Sequence, residues 1–263
     1  MATSGKVLLF NPRSAASKHR IPNSILQAGA SIYGLHDFVF VDGNMEDDPW
    51  AIIEGYLRSG TFRYFGCTVM PGPQLQQAIP FTCRIRECFP NVITIWGGYF
   101  AANQYEVVMR SGWVDFVVHG PGDHAFPALL AALEQGTPYE FIANLIWKTP
   151  DGHIVKNPAA TLPDQDSLPD LPYDFLDRFY PLRRYLPPTF LGKRTLAYHS
   201  SMGCPFSCSF CAVVPIYEAR WRGKSAAAIF QDICYVQEKW GADSVEFHDN
   251  NFFVSEKRTV EFS

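Results

Sequence analysis

Over residues 1–136 the chain alternates short apolar runs with helical patterns, and each run stops at residues that break a strand. The run from Lys6 to Phe10 ends at Asn11-Pro12, and the run from Phe38 to Val41 ends at Asp42-Gly43. Tyr64 to Thr68 stops near Pro71-Gly72-Pro73, Val92 to Trp96 at Gly97-Gly98, and Phe116 to Val118 at His119-Gly120-Pro121-Gly122. Helical spacing falls between them, over 22–34, 49–59, 74–88, 102–111 and 124–135, with Pro80 expected to kink or interrupt the third. A strand that is apolar throughout needs both faces covered. Strands alternating with helices meet that need as a doubly wound, five-stranded parallel sheet. Ligands of such sheets bind beyond the carboxyl ends of the strands. Those are the ends where glycines and other small residues gather here.

The rest of the chain reads differently. Leu145 to Lys148 and His153 to Lys156 flank Asp151-Gly152, a hairpin turn pair. Prolines and aspartates then dominate from Asn157 to Pro188, and the span 137–193 reads as a hairpin followed by a linker. That linker is expected to pack on a domain, because Tyr173, Phe175, Phe179 and Tyr185 need burial. From 194 a second βα pattern begins. Arg194 to Ser200 is a strand, Ser225 to Trp240 a helix capped by Ser225 and closed by Gly241, and Ser244 to His248 a second strand. Another helix starts at Ser255.

Between the strand and the helix of that second pattern lies Cys204-Pro205-Phe206-Ser207-Cys208-Ser209-Phe210-Cys211. Three thiolates this close can each hold one iron of a [4Fe–4S] cluster and leave the fourth iron open to another ligand. A structural zinc site calls for four ligands in pairs. No second C-x-x-C occurs, and His199 is the nearest possible fourth ligand. The remaining cysteines, Cys67, Cys83, Cys88 and Cys234, fall in strand and helix patterns and read as packed apolar residues.

The spacing C-x-x-x-C-x-aromatic-C after a strand resembles the radical S-adenosylmethionine (SAM) superfamily. The five-stranded βα region, the proline-rich linker and this motif together resemble its cobalamin-binding branch, including the anaerobic magnesium-protoporphyrin ester cyclase group. Matching stretches are Val41-Asp42-Gly43-Asn44, Thr94-Ile95-Trp96-Gly97-Gly98, Asp115 to Asp123, and Ser244 to Phe252. The resemblance implies a Rossmann-like (flavodoxin-like) cobalamin domain at 1–136, a hairpin and linker at 137–193, and the first βα units of a partial (β/α) barrel at 194–263. It implies three cofactors: a [4Fe–4S] cluster on Cys204, Cys208 and Cys211, SAM, and cobalamin. Phe210 would lie near the SAM adenine, and Asp249 and Asn250 near its amino group. Thr68, Gly97, Gly98, Gly120 and Gly122 would border the cobalamin tail, the glycines by leaving room for it. No D-x-H-x-x-G occurs, so no histidine is expected below the cobalt.

The implied activity is reductive cleavage of SAM to a 5′-deoxyadenosyl radical, with methyl transfer to an unactivated carbon as the expected outcome. The alternatives are oxidative cyclisation of a tetrapyrrole-type substrate and a non-catalytic cobalamin-binding fragment. Partners would be a small-molecule substrate and an external one-electron reductant of flavodoxin or ferredoxin type. No single residue is assigned a catalytic role. His119, His124, His199 and His248 either face cofactors or serve the fold. Arg220 and Arg222 either meet an acid of SAM or the substrate, or are surface charge. Little chain follows Cys211, fewer strands than such a barrel needs, so a fragment or truncated product is expected.

Composition narrows the other classes. Hydrophobic residues make up 47% and charged residues 18% of 263, which argues against extended disorder. The formal net charge is −4 and there is no lysine or arginine run, so nucleic acid has no electrostatic footprint. No 18-residue apolar stretch and no basic-plus-apolar leader occurs, which predicts a cytoplasmic protein.

Overall fold

The computed structural model describes residues 5–16 and 19–263. They divide into two units. The first comprises 5–16 and 24–160, and the second comprises 19–23 and 161–263.

The first unit is built on a parallel sheet of β1 (Lys6–Asn11), β2 (Phe38–Asp42), β3 (Phe62–Thr68), β4 (Ile93–Gly97) and β5 (Phe116–Val118). Its order is β2-β1-β3-β4-β5, the flavodoxin-like arrangement. Between the strands run α1 (Asn23–Ile32), α2 (Pro49–Arg58), α3 (Leu75–Cys88), α4 (Gly98–Asn103) and α5 (Tyr105–Arg110). The helix α6 (Ala125–Gln135) follows β5. Leu8, Phe10, Val41, Phe65, Cys67, Trp96 and Val117 on the strands pack with Ile53, Ala78, Ile85 and Met109 on the helices. Strands buried on both faces carry their side chains into two such layers, which is why their sequences are apolar without alternation.

Two details depart from the sequence reading, and a third excludes one of its two alternatives at Pro80. The sheet has seven strands, not five. The hairpin β6 (Leu145–Lys148) and β7 (Ile154–Lys156) continues it antiparallel to β5. The helical pattern at 102–111 is two short helices that break at Gln104, the first beginning directly at Gly98. Pro80 does not end α3, which runs through it to Cys88. The span 137–193 is therefore shared: its hairpin completes the first sheet, and from Thr161 it groups with the second unit.

In the second unit β8 (Thr195–Tyr198) pairs in parallel with β11 (Ser244–Phe247). A small antiparallel pair, β9 (Ser201–Gly203) and β10 (Trp221–Gly223), brackets the cysteine loop, which also holds the single turn α8 (Val214–Tyr217). The helix α9 (Ala226–Trp240) starts on a Ser225 side chain that accepts the Ala228 N–H and ends on Gly241 in the left-handed conformation, a stop that suits glycine. The helix α10 (Glu256–Phe262) is capped by Ser255 in the same way as α9. The proline-rich segment forms the one-turn helix α7 (Tyr173–Asp177) and buries Tyr173 and Tyr185, with Tyr173 edge-on to Trp240. Among the described residues no helix is long and apolar enough to cross a membrane.

Candidate functional site

Consider first the carboxyl ends of the parallel strands in the first unit. Beyond β1 and β2 the buried Asp42 Oδ1 accepts the Asn11 amide (2.9 Å), the Asn44 amide (2.8 Å) and the Asn44 backbone N–H (2.9 Å). Gln74 joins this knot by donating to Asn11 Oδ1 and the Pro12 carbonyl and accepting the Met70 N–H. The groups satisfy one another, so this corner holds the loops in place.

The ends of β4 and β5 are less filled. A Cβ placed on Gly97 would meet its nearest neighbour, the Val118 carbonyl, only at 3.9 Å, and one on Gly122 would meet Val118 Cγ1 at 3.7 Å. Thr68, at the end of β3, is buried, with its hydroxyl 3.1 Å from where a Cβ on Gly98 would sit. Gly120 takes a left-handed φ of 84°. Gly98 is a different case. Its φ is 87°, and a Cβ there would sit 2.8 Å from both the N and the O of Val69. That glycine is required by the close approach of two backbone segments, which Val69 N to Gly97 O and Phe100 N to Val69 O then tie together. Its place in the sequence is explained without a ligand.

His119 is likewise absorbed by the fold. Its ring Nε2 lies 3.2 Å from the Asn157 carbonyl and its N–H donates to Asn144 O, both in the hairpin extension. His124 is exposed. Asp123 is buried, and its Oδ1 accepts from Gln27 Nε2 at 2.7 Å. Burial pushes its pKa up, and the Gln27 hydrogen bond only partly offsets this.

The second unit carries the cysteine loop. Gly203, just before Cys204, has φ 77°, and a Cβ there would fall 2.1 Å from the Arg220 carbonyl. Only glycine lets the two strands of the bracket approach so closely. The loop then turns through Cys211 N to Cys208 O (3.1 Å) and Val214 N to Cys211 O (3.2 Å). After α8, Glu218 and Ala219 both adopt positive φ, 52° and 55°, to send the chain back into β10. Two consecutive non-glycine residues there store strain beside the loop.

All three thiols are free. Cys204 and Cys211 are half-buried and Cys208 is exposed. Among the described residues no three His, Cys, Asp or Glu side chains are close enough to hold a single metal ion. A cubane cluster does not ask for that, since each thiolate meets its own iron. The donor set, three thiols on one open loop, fits such a cluster. Phe210 is 90% exposed, so its ring face is open to a ligand.

Asp249, just beyond β11, reaches the start of β9, the strand that leads into that loop. Its Oδ1 accepts the Ser200 hydroxyl (2.8 Å) and the Ser201 hydroxyl, and the Ser200 N–H bridges both oxygens at 3.2 Å. Among the described residues Oδ2 accepts only that shared N–H, which leaves it able to accept from a ligand. Asn250 is exposed beside it. Arg220 is occupied by the Tyr217 carbonyl and Glu218, whereas Arg222 is exposed on β10.

Behind these residues lies Arg258, which the sequence reading passed over. It is 6% exposed and donates to Ser200 O (3.2 Å), Ser200 Oγ (2.9 Å) and Phe252 O (2.7 Å). Its guanidinium also lies over the Trp221 and Phe252 rings. Nothing in a short exposed-looking helix at the end of the sequence signals that role.

At the ends of β8 and β11 the His199 and His248 rings stand edge to face, 5.8 Å apart. Asn23 Nδ2 donates toward His199 Nδ1, and Glu246 bridges His248 and Arg20.

No protein-family model matches the chain. It is 26% identical, over 98% of its length, to an uncharacterized methyltransferase of Pyrococcus horikoshii. It is also 26% identical, over 98% of its length, to the anaerobic magnesium-protoporphyrin IX monomethyl ester cyclase of Synechocystis sp.. The matches cover 56% and 52% of those two proteins, so the chain spans about half the length of the curated relatives it matches. Among solved structures, TsrM of Kitasatospora setae is a radical S-adenosylmethionine methyltransferase with cobalamin and a [4Fe-4S] cluster bound. It superposes with a TM-score of 0.76 at 17% identity over 99% of this chain and 50% of that one. OxsB, a cobalamin-dependent S-adenosylmethionine radical enzyme with aqua-cobalamin and S-adenosylmethionine bound, superposes with a TM-score of 0.80 at 16% identity. That match covers 98% of this chain and 36% of OxsB. At such identities the structural likeness is one of fold. Taken with the sequence relatives, it means that this chain resembles the cobalamin-dependent radical SAM enzymes over nearly its whole length.

Proposed function

We propose that this chain carries the cofactor-binding part of a cobalamin-dependent radical SAM enzyme that transfers a methyl group to carbon. The observation that carries the reading is the cysteine loop. Three free thiols and an exposed aromatic sit at the end of a βα-unit strand, next to a carboxylate with one oxygen open. A reduced [4Fe–4S] cluster supplies the electron that cleaves SAM, and cobalamin supplies a carrier for the methyl group.

The residues divide the work. Cys204, Cys208 and Cys211 would each hold one iron, which leaves the fourth to an outside ligand. Asp249 Oδ2 would accept from the ammonium of SAM's methionine moiety, and Phe210 would offer its face to the adenine. In the first unit Gly97 and Gly122 leave room beside the ends of β4 and β5, and the Thr68 hydroxyl is available to hydrogen-bond a nucleotide tail. Gly120 would keep its backbone out of the same path. The reductant would be a small external electron carrier, the substrate a small molecule, and the compartment the cytoplasm.

A second reading, oxidative cyclisation, is favoured by the cyclase relatives, which match at identities close to that of the methyltransferase relative. The test is anaerobic reconstitution of the full chain with iron, sulfide and hydroxocobalamin. EPR of the reduced cluster is recorded with and without SAM, followed by assay of 5′-deoxyadenosine and S-adenosylhomocysteine. A SAM-shifted signal with both products supports methyl transfer. Deoxyadenosine without S-adenosylhomocysteine favours the cyclase reading. Bound corrinoid with no response to SAM rejects both and leaves a binding module.

A further inference from the structure

The second unit has a feature that the cofactor reading does not use. A guanidinium is buried where four separate pieces of chain meet. Arg258 comes from α10, Ser200 from the end of β8, Trp221 from β10, and Phe252 from the turn after β11. Burial is costly for a charge unless partners replace water. Here NH1 takes Ser200 twice and NH2 takes the Phe252 carbonyl, while two aromatic faces lie 5.1 and 4.6 Å from the guanidinium carbon. Nε is buried without a hydrogen-bond partner among the described residues. Burial lowers the pKa of Arg258 and the Asp249 carboxylate opposes that shift. An arginine keeps its proton regardless.

Two of the partners, Ser200 and Trp221, lead to the β9–β10 bracket, and Ser200 also leads to Asp249. Ser200 Oγ accepts from Arg258 and donates its own O–H to Asp249 Oδ1, which makes an Arg258–Ser200–Asp249 hydrogen-bond relay. The Ser200 carbonyl that Arg258 holds also accepts Lys224 N–H, just past β10. Trp221, under the guanidinium, pairs with Gly203, the residue before Cys204, and its indole donates to the Asn251 carbonyl. One planar cation therefore links both edges of the bracket that carries the cysteines to the carboxylate beside it.

We propose that Arg258 is a positioning residue that sets the β9–β10 bracket and Asp249 relative to each other. It thereby fixes where the cysteine loop presents its thiols and which Asp249 oxygen is left for a ligand. In its cofactor consequence this rests on the cluster reading above; in its structural consequence it does not. The fork geometry matters, because a lysine at 258 keeps the charge but can neither grip Ser200 twice nor lie flat on Trp221.

The test uses the full chain and three variants, Arg258→Met, Arg258→Lys and Ser200→Ala. Hydrogen–deuterium exchange on the apo protein needs no cofactor. Arg258→Met is expected to speed exchange across 200–204 and 221–224 by about tenfold while the β1–β5 sheet is unchanged. Ser200→Ala, which cuts the relay without removing the charge, is expected to give a smaller increase at 200–204 and 249 alone. After reconstitution, both are expected to lower iron per chain and to weaken the SAM-induced shift of the reduced-cluster EPR signal. Arg258→Lys is expected to recover iron content more than the SAM response.

Wild-type-like exchange at the bracket in Arg258→Met overturns the proposal. So does a loaded Arg258→Met cluster with an unchanged SAM shift. If wild-type protein takes up no cluster, the cofactor reading fails and exchange alone decides the positioning role. If Arg258→Met does not fold, Ser200→Ala decides, and unchanged exchange at 249 there overturns the proposal.

Discussion

The two units differ in how evenly apolar burial holds their parallel strands. In the first, five of the six residues of β1 are buried, and the neighbours of the sheet are aliphatic and aromatic. In the second, no residue of β11 is fully buried. Side chains that point and pair do more of the work there. Tyr198 donates to Asp232 at 2.5 Å and Lys224 meets the same carboxylate at 2.6 Å. Asp174 binds both Lys239 and Tyr235, Arg20 binds Glu246, and Arg258 binds Ser200. Apolar burial stabilises without direction, so a sheet held that way can leave its strand ends open and lose little. Hydrogen bonds to charged groups fix direction. One of these networks, Arg258 with Ser200 and Asp249, lies beside the candidate site.

That contrast can be broken at its strongest point. Phe65→Ala removes a fully buried ring from β3 and is expected to cost about 4 kcal/mol. Fast exchange should spread over the whole first sheet. If it stays confined to the substituted strand, the sheet is not the cooperative block described here. Gly203→Ala is the counterpart in the second unit, combining a left-handed backbone with a 2.1 Å clash. A penalty of about 3 kcal/mol is expected, read as lost iron uptake and fast exchange from 201 to 223, with the first sheet intact.

A smaller effect tests the exception, a charge buried in the apolar unit. The raised pKa of Asp123 means that the folded state favours the neutral carboxyl. Its contribution to stability is present below the ordinary aspartate pKa of about 3.9. It is lost as the pH rises through the group's own higher value. Asp123→Asn keeps an acceptor for Gln27, so it is expected to stabilise the first unit by about 1 kcal/mol at pH 7. At pH 3 the gain should vanish. An equal gain at both pH values would place its origin elsewhere than in the charge. The smallest effect is expected from Ala219→Gly, which relieves one of the two left-handed residues after α8. A gain of about 0.5 kcal/mol in thermal unfolding is expected, strain relief being partly offset by a freer unfolded chain.

The sequence was most readable where burial alone sets the pattern. The five parallel strands announce themselves because they are apolar on both faces and end in turn residues. Ser225 and Gly241 mark the ends of α9 by local geometry. What was hidden depends on partners far away in the chain. Leu145 to Lys148 could be seen as one arm of a hairpin, but not as a strand that would choose Val117 and Val118 as partners. Gly98 resembles its neighbour Gly97 on paper, yet a Cβ on one would press on Val69 at 2.8 Å and on the other would meet nothing nearer than the Val118 carbonyl at 3.9 Å. In the candidate site the cysteines are legible from spacing. The Arg258–Ser200–Asp249 relay joins residues 58 and 49 positions apart, and each is of a type common on any surface.

The hairpin that completes the first sheet has a practical consequence. Without it, β5 would be the border of the sheet: three residues, all apolar and all buried, with their hydrogen-bonding groups turned outward. Such a border invites other chains to add strands. The hairpin replaces it with a border that is only three residues long and carries Lys156, with the polar Asp151-Gly152 turn beside it. A piece of this protein cut at residue 136 would keep all five parallel strands of the first sheet and still be expected to precipitate. One cut at residue 160 would carry its own guard.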